Sequence, residues 1–292
     1  MPHNLTAYIN LSLAMILVGS SVVAGKIMVT ELPVFLASAL RFILALFILL
    51  PLLAYREGGL PRISRRSWFM IGLQSLCGSF LFTVFLLYGL TLTSPASAGI
   101  ITSTTPACMG LIAWLFLRDR PTGRTALGIG LSILGVLVIN MMQESGSISG
   151  NSPVFGNLLV LGAVIFESLF LLIRKTVPEP LSPLAVSTLI SLFGLVWFLP
   201  AGLIEAWDTN FSVISLTGWL TVIYYGVFVT VLAYLFWFAG ITRVAASTAG
   251  ISTAIMPVSA LVLSALILNE PLGWQQLTGC GCVLGGIVLI SR

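Results

Sequence analysis

Two ionisable side chains, Arg41 and Glu167, stand well inside long apolar runs. A charge at membrane depth is costly and is by default a functional candidate. At about 1.5 Å of rise per helical residue, Arg41 lies roughly 12 Å from one end of its run and Glu167 roughly 10 Å from the opposite end of its own. Their heights then differ by about 8 Å in a hydrocarbon core about 30 Å thick, so a long arginine could bridge them if their helices adjoin. Structural alternatives stand beside this: Arg41 bonding helix-end carbonyls or snorkelling, and Glu167 neutral and hydrogen-bonded or paired with Arg174 or Lys175. A buried Glu167 could also carry a proton.

Two prolines, Pro106 and Pro257, sit near the centres of apolar segments 95–117 and 246–268. A mid-helix proline lacks its N–H and leaves the carbonyl four residues earlier without its usual donor. Those carbonyls belong to Thr102 and Thr253, beside the hydroxyls of Ser103, Thr104, Thr105 and Ser252. One reading makes each proline a hinge beside a substrate cavity; the other is a static kink closed by threonine back-bonding.

Enzymatic chemistry is poorly served. The one histidine, His3, precedes the first span, and the two aspartates, Asp119 and Asp208, fall in loops. That argues against a Ser/His hydrolase and an intramembrane aspartyl site. Gly19 to Lys26 superficially evokes a phosphate loop, but the spacing is one residue too long and Ile27 replaces the Ser/Thr. Cys77, Cys108, Cys280 and Cys282 all lie in apolar segments and read as filler. Cys280 and Cys282 point to opposite sides of a helix, a poor metal site. No metal and no cofactor is expected, and no enzyme.

The elements that must hold these residues follow from composition: 58% hydrophobic, 8% charged, mean hydropathy +1.10. A soluble domain is about a quarter charged, so this surface must face lipid. We read ten apolar spans, at about 6–25, 33–55, 67–90, 95–117, 124–143, 153–173, 182–204, 215–239, 246–268 and 273–291. The fold class is therefore an all-α integral membrane protein. The first run lacks a basic leader and is too long for a signal core, so it reads as a retained helix. With the amino terminus cytoplasmic, inside loops hold Arg56, Arg62, Arg65, Arg66, Arg118, Arg120, Arg124, Arg174, Lys175, Arg243 and Arg292, and outside loops only Lys26. The positive-inside rule then places both termini in the cytoplasm. The net charge of +4 is a matter of topology and implies no nucleic acid.

The chain repeats at an offset of 151 residues. Ala98-Gly99-Ile100 falls on Ala249-Gly250-Ile251, Thr102 on Thr253, Pro106 on Pro257, Asp119 on Glu270, Gly89 on Gly240 and Gly135 on Gly286. Five helices per half is odd, so the halves, 1–145 and 146–292, enter the membrane from opposite faces, as in many secondary transporters. Trp68, Trp114, Trp207, Trp219 and Trp274 read as an interfacial belt. Tyr88, Tyr225 and Tyr234 could line a cavity or simply pack. Small residues in helices 5 and 10 (Gly128, Ser132, Gly135, Gly281, Gly285) permit close helix contact.

Nearly the whole chain resembles the EamA family of the drug/metabolite transporter superfamily. The matching features are Leu40-Arg41-Phe42, then Tyr225-Gly226 through Ala233-Tyr234, Trp237-Phe238, Arg243-Val244, Pro257 and Glu270-Pro271 to Gly279 and Gly286. Asp119 and Pro121 echo Glu270-Pro271 in the first half. Within the family the chain looks most like YddG-type exporters of aromatic and other neutral amino acids. The resemblance implies a bacterial inner membrane and a central cavity including Ser20, Ser79, Tyr88, Thr102, Glu167, Tyr234 and Thr253. Glu167 departs from the family, where a small or uncharged residue is usual. Several cations would be needed for phosphorylated cargo, whereas this chain offers Arg41 and little else at depth; a zwitterion or neutral amphiphile suits it better. The reading is a secondary exporter of amino acids working by alternating access, a functional monomer whose partners are the bilayer and a small-molecule substrate. A drug or other metabolite exporter, a channel, or a membrane enzyme or assembly subunit are the alternatives.

Overall fold

A computed structural model describes residues 2–102, 104–105, 107–108, 111–112, 123–141, 152–174, 181–241, 252, 255–270 and 272–291. Every regular element among them is helical. In chain order these are α1 (Pro2–Glu31), α2 (Val34–Glu57), α3 (Arg65–Leu92), α4 (Pro95–Thr102), α5 (Gly123–Met141), α6 (Pro153–Arg174), α7 (Pro183–Asp208), α8 (Leu216–Ile241), α9 (Ile255–Leu268) and α10 (Trp274–Ser291). Six stretches are long and apolar enough to cross a bilayer: Leu5–Glu31, Val34–Glu57, Arg65–Leu92, Pro153–Phe170, Pro183–Asp208 and Leu216–Gly240. Shorter apolar helices cover Ala126–Gly135, Ile255–Leu268 and Gln276–Leu289.

The helix ends follow local rules. Ser64, Ser182 and Ser215 each turn a side-chain oxygen onto a backbone N–H of the first turn of α3, α7 and α8, satisfying donors that would otherwise have no partner. Gly58 ends α2 in the left-handed conformation, φ 76°, which costs a residue without Cβ nothing. α1 runs to Glu31, beyond the boundary at 25 read from the sequence. Lys26 therefore lies within a helix and not in a loop. Its charge is tolerated there because the ammonium donates to the carbonyls of Leu90 and Thr93, the latter at 3.0 Å, at the end of α3.

Polar contacts between helix ends define two faces. Glu31 accepts from the Ser215 N–H, Glu205 from the Leu36 N–H, and Glu270 from the Ala96 N–H. Thr93 bonds Asn157 at 2.6 Å. The ends of α1, α3, α7 and α9 thus share one face with the starts of α2, α4, α6 and α8. On the other face Ser182, before α7, donates to Glu57 at the end of α2. That face carries the exposed Arg56, Arg62, Arg65 and Arg66.

The 151-residue offset is visible in the packing. A Cβ on Gly89 of α3 would come within 3.0 Å of the Gly156 carbonyl on α6; one on Gly240 of α8 would come within 3.2 Å of the Ala7 carbonyl on α1. The same close crossing is built twice, because only glycine lets the backbones approach this far. α5 and α10 pack directly on each other, as the small-residue pattern predicts: a Cβ on Gly135 would meet the Gly279 carbonyl at 2.8 Å. α2 and α7 likewise pair, with Gly194 under the ring of Phe42. α3 and α8 also share a feature absent from the sequence reading. Each contains a π-helical turn, Leu76–Leu81 and Tyr225–Leu232, and the offset superposes Leu81 on Leu232.

Candidate functional site

α2 projects Arg41 between α3 and α8, where it is 5% exposed. Its Nη2 donates to Thr83 Oγ1 of α3 at 2.8 Å. The guanidinium lies over the ring of Phe42 at 4.6 Å and over that of Tyr225, on α8, at 4.9 Å. Ring faces and a neutral hydroxyl hold a cation without cancelling its charge. Nε has no acceptor, and no carboxylate reaches ion-pair distance of Arg41 among the described residues. The bridge to Glu167 considered from the sequence is therefore not formed.

Ser79 lies one turn from Thr83, inside the first π-helical turn, and its buried Oγ also has no partner. Tyr234 of α8 turns its hydroxyl toward Ser79, outside hydrogen-bonding geometry, and stands within electrostatic reach of both Arg41 and Glu167. The offset superposes Thr83 on Tyr234 and Gln74 on Tyr225. Thr83, which bonds Arg41, and Tyr234, within its electrostatic reach, thus occupy equivalent positions of the two halves. Arg41 itself breaks the symmetry, since its counterpart is Leu192.

Glu167 of α6 forms the second polar centre. Its Oε2 lies 2.5 Å from Thr105 Oγ1, and that hydroxyl lies 2.8 Å from the Thr102 carbonyl. The Thr102 carbonyl thus has a donor in the Thr105 hydroxyl. The Thr102 side chain is also committed, donating to the carbonyls of Ala98 and Gly99 at 3.0 Å. Ser168, next to Glu167, bonds the Val164 carbonyl at 2.8 Å.

The other residues read from the sequence scatter. Ser20 of α1 shares a 2.6 Å hydrogen bond with Tyr224 of α8. Tyr88 is 40% exposed, packs its ring 6.2 Å from Phe35 and lies near Glu205, on the α2/α7 side away from Glu167. Pro257 is buried in the first turn of the described part of α9, and Ser252 is buried before it. Pro106, Ser103, Thr253, Asp119, Pro121, Trp114 and the cations Arg118, Arg120, Lys175, Arg243 and Arg292 lie outside the described residues, as do the side chains of His3 and Arg174. Sequence reasoning missed Thr83 and Tyr225 as partners of Arg41; for Thr83 the signal is the offset, which pairs it with Tyr234.

A last polar cluster closes the face defined by Glu31, Glu205 and Glu270. Lys26 of α1 caps α3, Glu270 caps α4 after α9, and the two charges act on each other. Burial pushes the Glu270 carboxyl above its ordinary value, against the opposing pull of the Ala96 N–H and Lys26.

Paired, crossing apolar helices with buried polar centres between them define a multi-pass membrane protein. Residues 5–141 and 154–292 each match the EamA-like transporter family, and the chain belongs to that family. It is 44% identical over 281 residues to an uncharacterized transporter, YetK, of Bacillus subtilis (strain 168), covering 96% of this chain and 85% of that one. Against an uncharacterized transporter of Archaeoglobus fulgidus, identity is 27% over 292 residues, with 98% of both chains covered. A solved crystal structure at 19% identity superposes with a TM-score of 0.68 over 97% of this chain and 95% of its own, which shows the fold.

Proposed function

We propose that this transporter exports small amphipathic metabolites, foremost neutral and aromatic amino acids, by alternating access across a bacterial inner membrane. One observation carries the reading. Among the described residues, a buried cation without a carboxylate and a carboxylate without a cation occupy the same helical core, both within electrostatic reach of Tyr234. A zwitterion complements such a pair, whereas a polyanion would meet repulsion at Glu167. The halves 1–145 and 146–292 act as inverted repeats, ten helices in all, with both termini cytoplasmic on the arginine-bearing face. One chain contains both halves and works as a monomer with lipid as its surroundings.

Purified protein in liposomes, assayed for uptake of labelled phenylalanine, threonine and methionine, tests this. Saturable uptake, accelerated by unlabelled amino acid inside, is the expected result. Uptake no greater than in empty vesicles, with and without a pH gradient, overturns the amino-acid assignment. Uptake that never saturates favours a channel.

A further inference from the structure

We propose that Arg41 is the carboxylate-binding residue of the transport site, with Ser79 as its second donor, so that the cargo must carry a free carboxylate. This deepens the amino-acid reading above and rests on it. The argument starts from cost. A buried charge without a partner destabilises a fold by several kcal/mol, and an apolar residue of similar volume would serve packing better. Arg41 is buried, yet what surrounds it leaves its charge standing: the neutral hydroxyls of Thr83 and Tyr225, two ring faces and an Nε–H with no acceptor.

A second observation points the same way. Ser79 Oγ is also buried without a partner, on the face of α3 that carries Thr83 one turn on. Two unspent donors, an Nε–H and an O–H, suit the two oxygens of one carboxylate. Charge-assisted bonds of this kind are about twice as strong as neutral ones. The cage also has the means to open. Tyr225 begins one π-helical turn, and Thr83 follows the other by two residues. Such turns carry a mismatched hydrogen-bond register and recur at functional sites. A shift of either turn moves one wall of the cage. Glu167, held by Thr105, is the acceptor for the ammonium end.

The test is a competition panel on reconstituted protein carrying labelled phenylalanine. Phenylalanine methyl ester and phenylethylamine, which lack the carboxylate, are expected to compete at least about 10-fold more weakly than phenylalanine, the loss of one charge-assisted bond. Arg41→Gln is expected to abolish that gap, and Arg41→Lys to narrow it. If Arg41→Gln does not fold, Ser79→Ala keeps the cation and is expected to narrow the gap alone. Equal competition by ester, amine and amino acid in the unaltered protein overturns the carboxylate assignment while amino-acid carriage stands. If no amino acid is carried, the amino-acid reading fails. The assignment is then judged by thermal shift with 3-phenylpropionate against phenylethylamine. A shift by the acid alone, lost in Arg41→Gln, sustains it; no shift, or one retained in Arg41→Gln, overturns it.

Discussion

Thr105 has one hydroxyl proton and two acceptors in range, the Thr102 carbonyl and Glu167 Oε2. An ionised Glu167 and the carbonyl therefore compete for it. A side chain at 167 that can itself donate resolves the competition, and glutamine is such a side chain. Glu167→Gln should leave thermal stability within a few degrees, because its amide donates to Thr105 while Thr105 donates to Thr102. Transport of a zwitterion should fall at least about 10-fold, since the charge for the ammonium is gone. Counterflow and a melting curve on the same preparation check both halves of this prediction; full transport by Glu167→Gln removes Glu167 from the site. Thr105→Val should act differently, lowering stability by about 1–3 kcal/mol by leaving two buried acceptors undonated. Arg41 and Glu167 were legible in the sequence because charges are conspicuous in apolar runs. Thr83 was not, and Tyr225 and Thr105, though picked out as a cavity candidate and a kink-side hydroxyl, were not legible as partners of Arg41 and Glu167, because hydroxyl side chains are ordinary in such runs and become partners only through the way the helices meet.

Helix pairs are held by small residues, and this part was readable in advance. Gly128, Ser132 and Gly135 on α5 and Gly285 on α10 do line the contact between the two helices, whereas Gly281 faces open space and Gly286 takes the close approach instead. Gly135→Leu should lower thermal stability by about 1–3 kcal/mol, the usual cost of overpacking, with the folded fraction still carrying substrate; a melting curve in detergent measures it. The π-helical turns were not readable, because a register change inside an apolar helix is decided by packing and leaves no signature in residue type. Glu270 supplies an end-of-helix case with a definite sign. Its carboxyl is raised by burial, so the folded protein binds that proton more tightly than the unfolded chain. The stability this contributes is full below the unfolded value of about 4.3 and is lost as pH rises through the raised one. Glu270→Gln, which still accepts from Ala96, should therefore gain stability relative to the unaltered protein as pH rises above about 4. A constant difference across that range contradicts the burial assigned to Glu270.

Seen across the whole molecule, the two faces are built differently. The face bearing Glu31, Glu205 and Glu270 is tied across four elements by Lys26 and Glu270: the ammonium joins α1 to α3, and the carboxylate joins the end of α9 to the start of α4. On the opposite face, Glu57 and Ser182 tie the flanking helices α2 and α7. In an inverted repeat the alternative state arises when the halves exchange conformations about a site near midplane. On the alternating-access reading proposed above, the helix-end bonds made by Lys26 and by Glu270 break once in each cycle. A protein freed of its cysteines, with Lys26→Cys and Glu270→Cys joined by a short flexible bismaleimide, should keep its substrate-induced thermal shift. It should lose counterflow to the level of empty vesicles, while unlinked halves of the same preparation still transport. Undiminished counterflow after complete linkage would mean that α1 and α9 travel together at this face, and that the cargo passes without parting them.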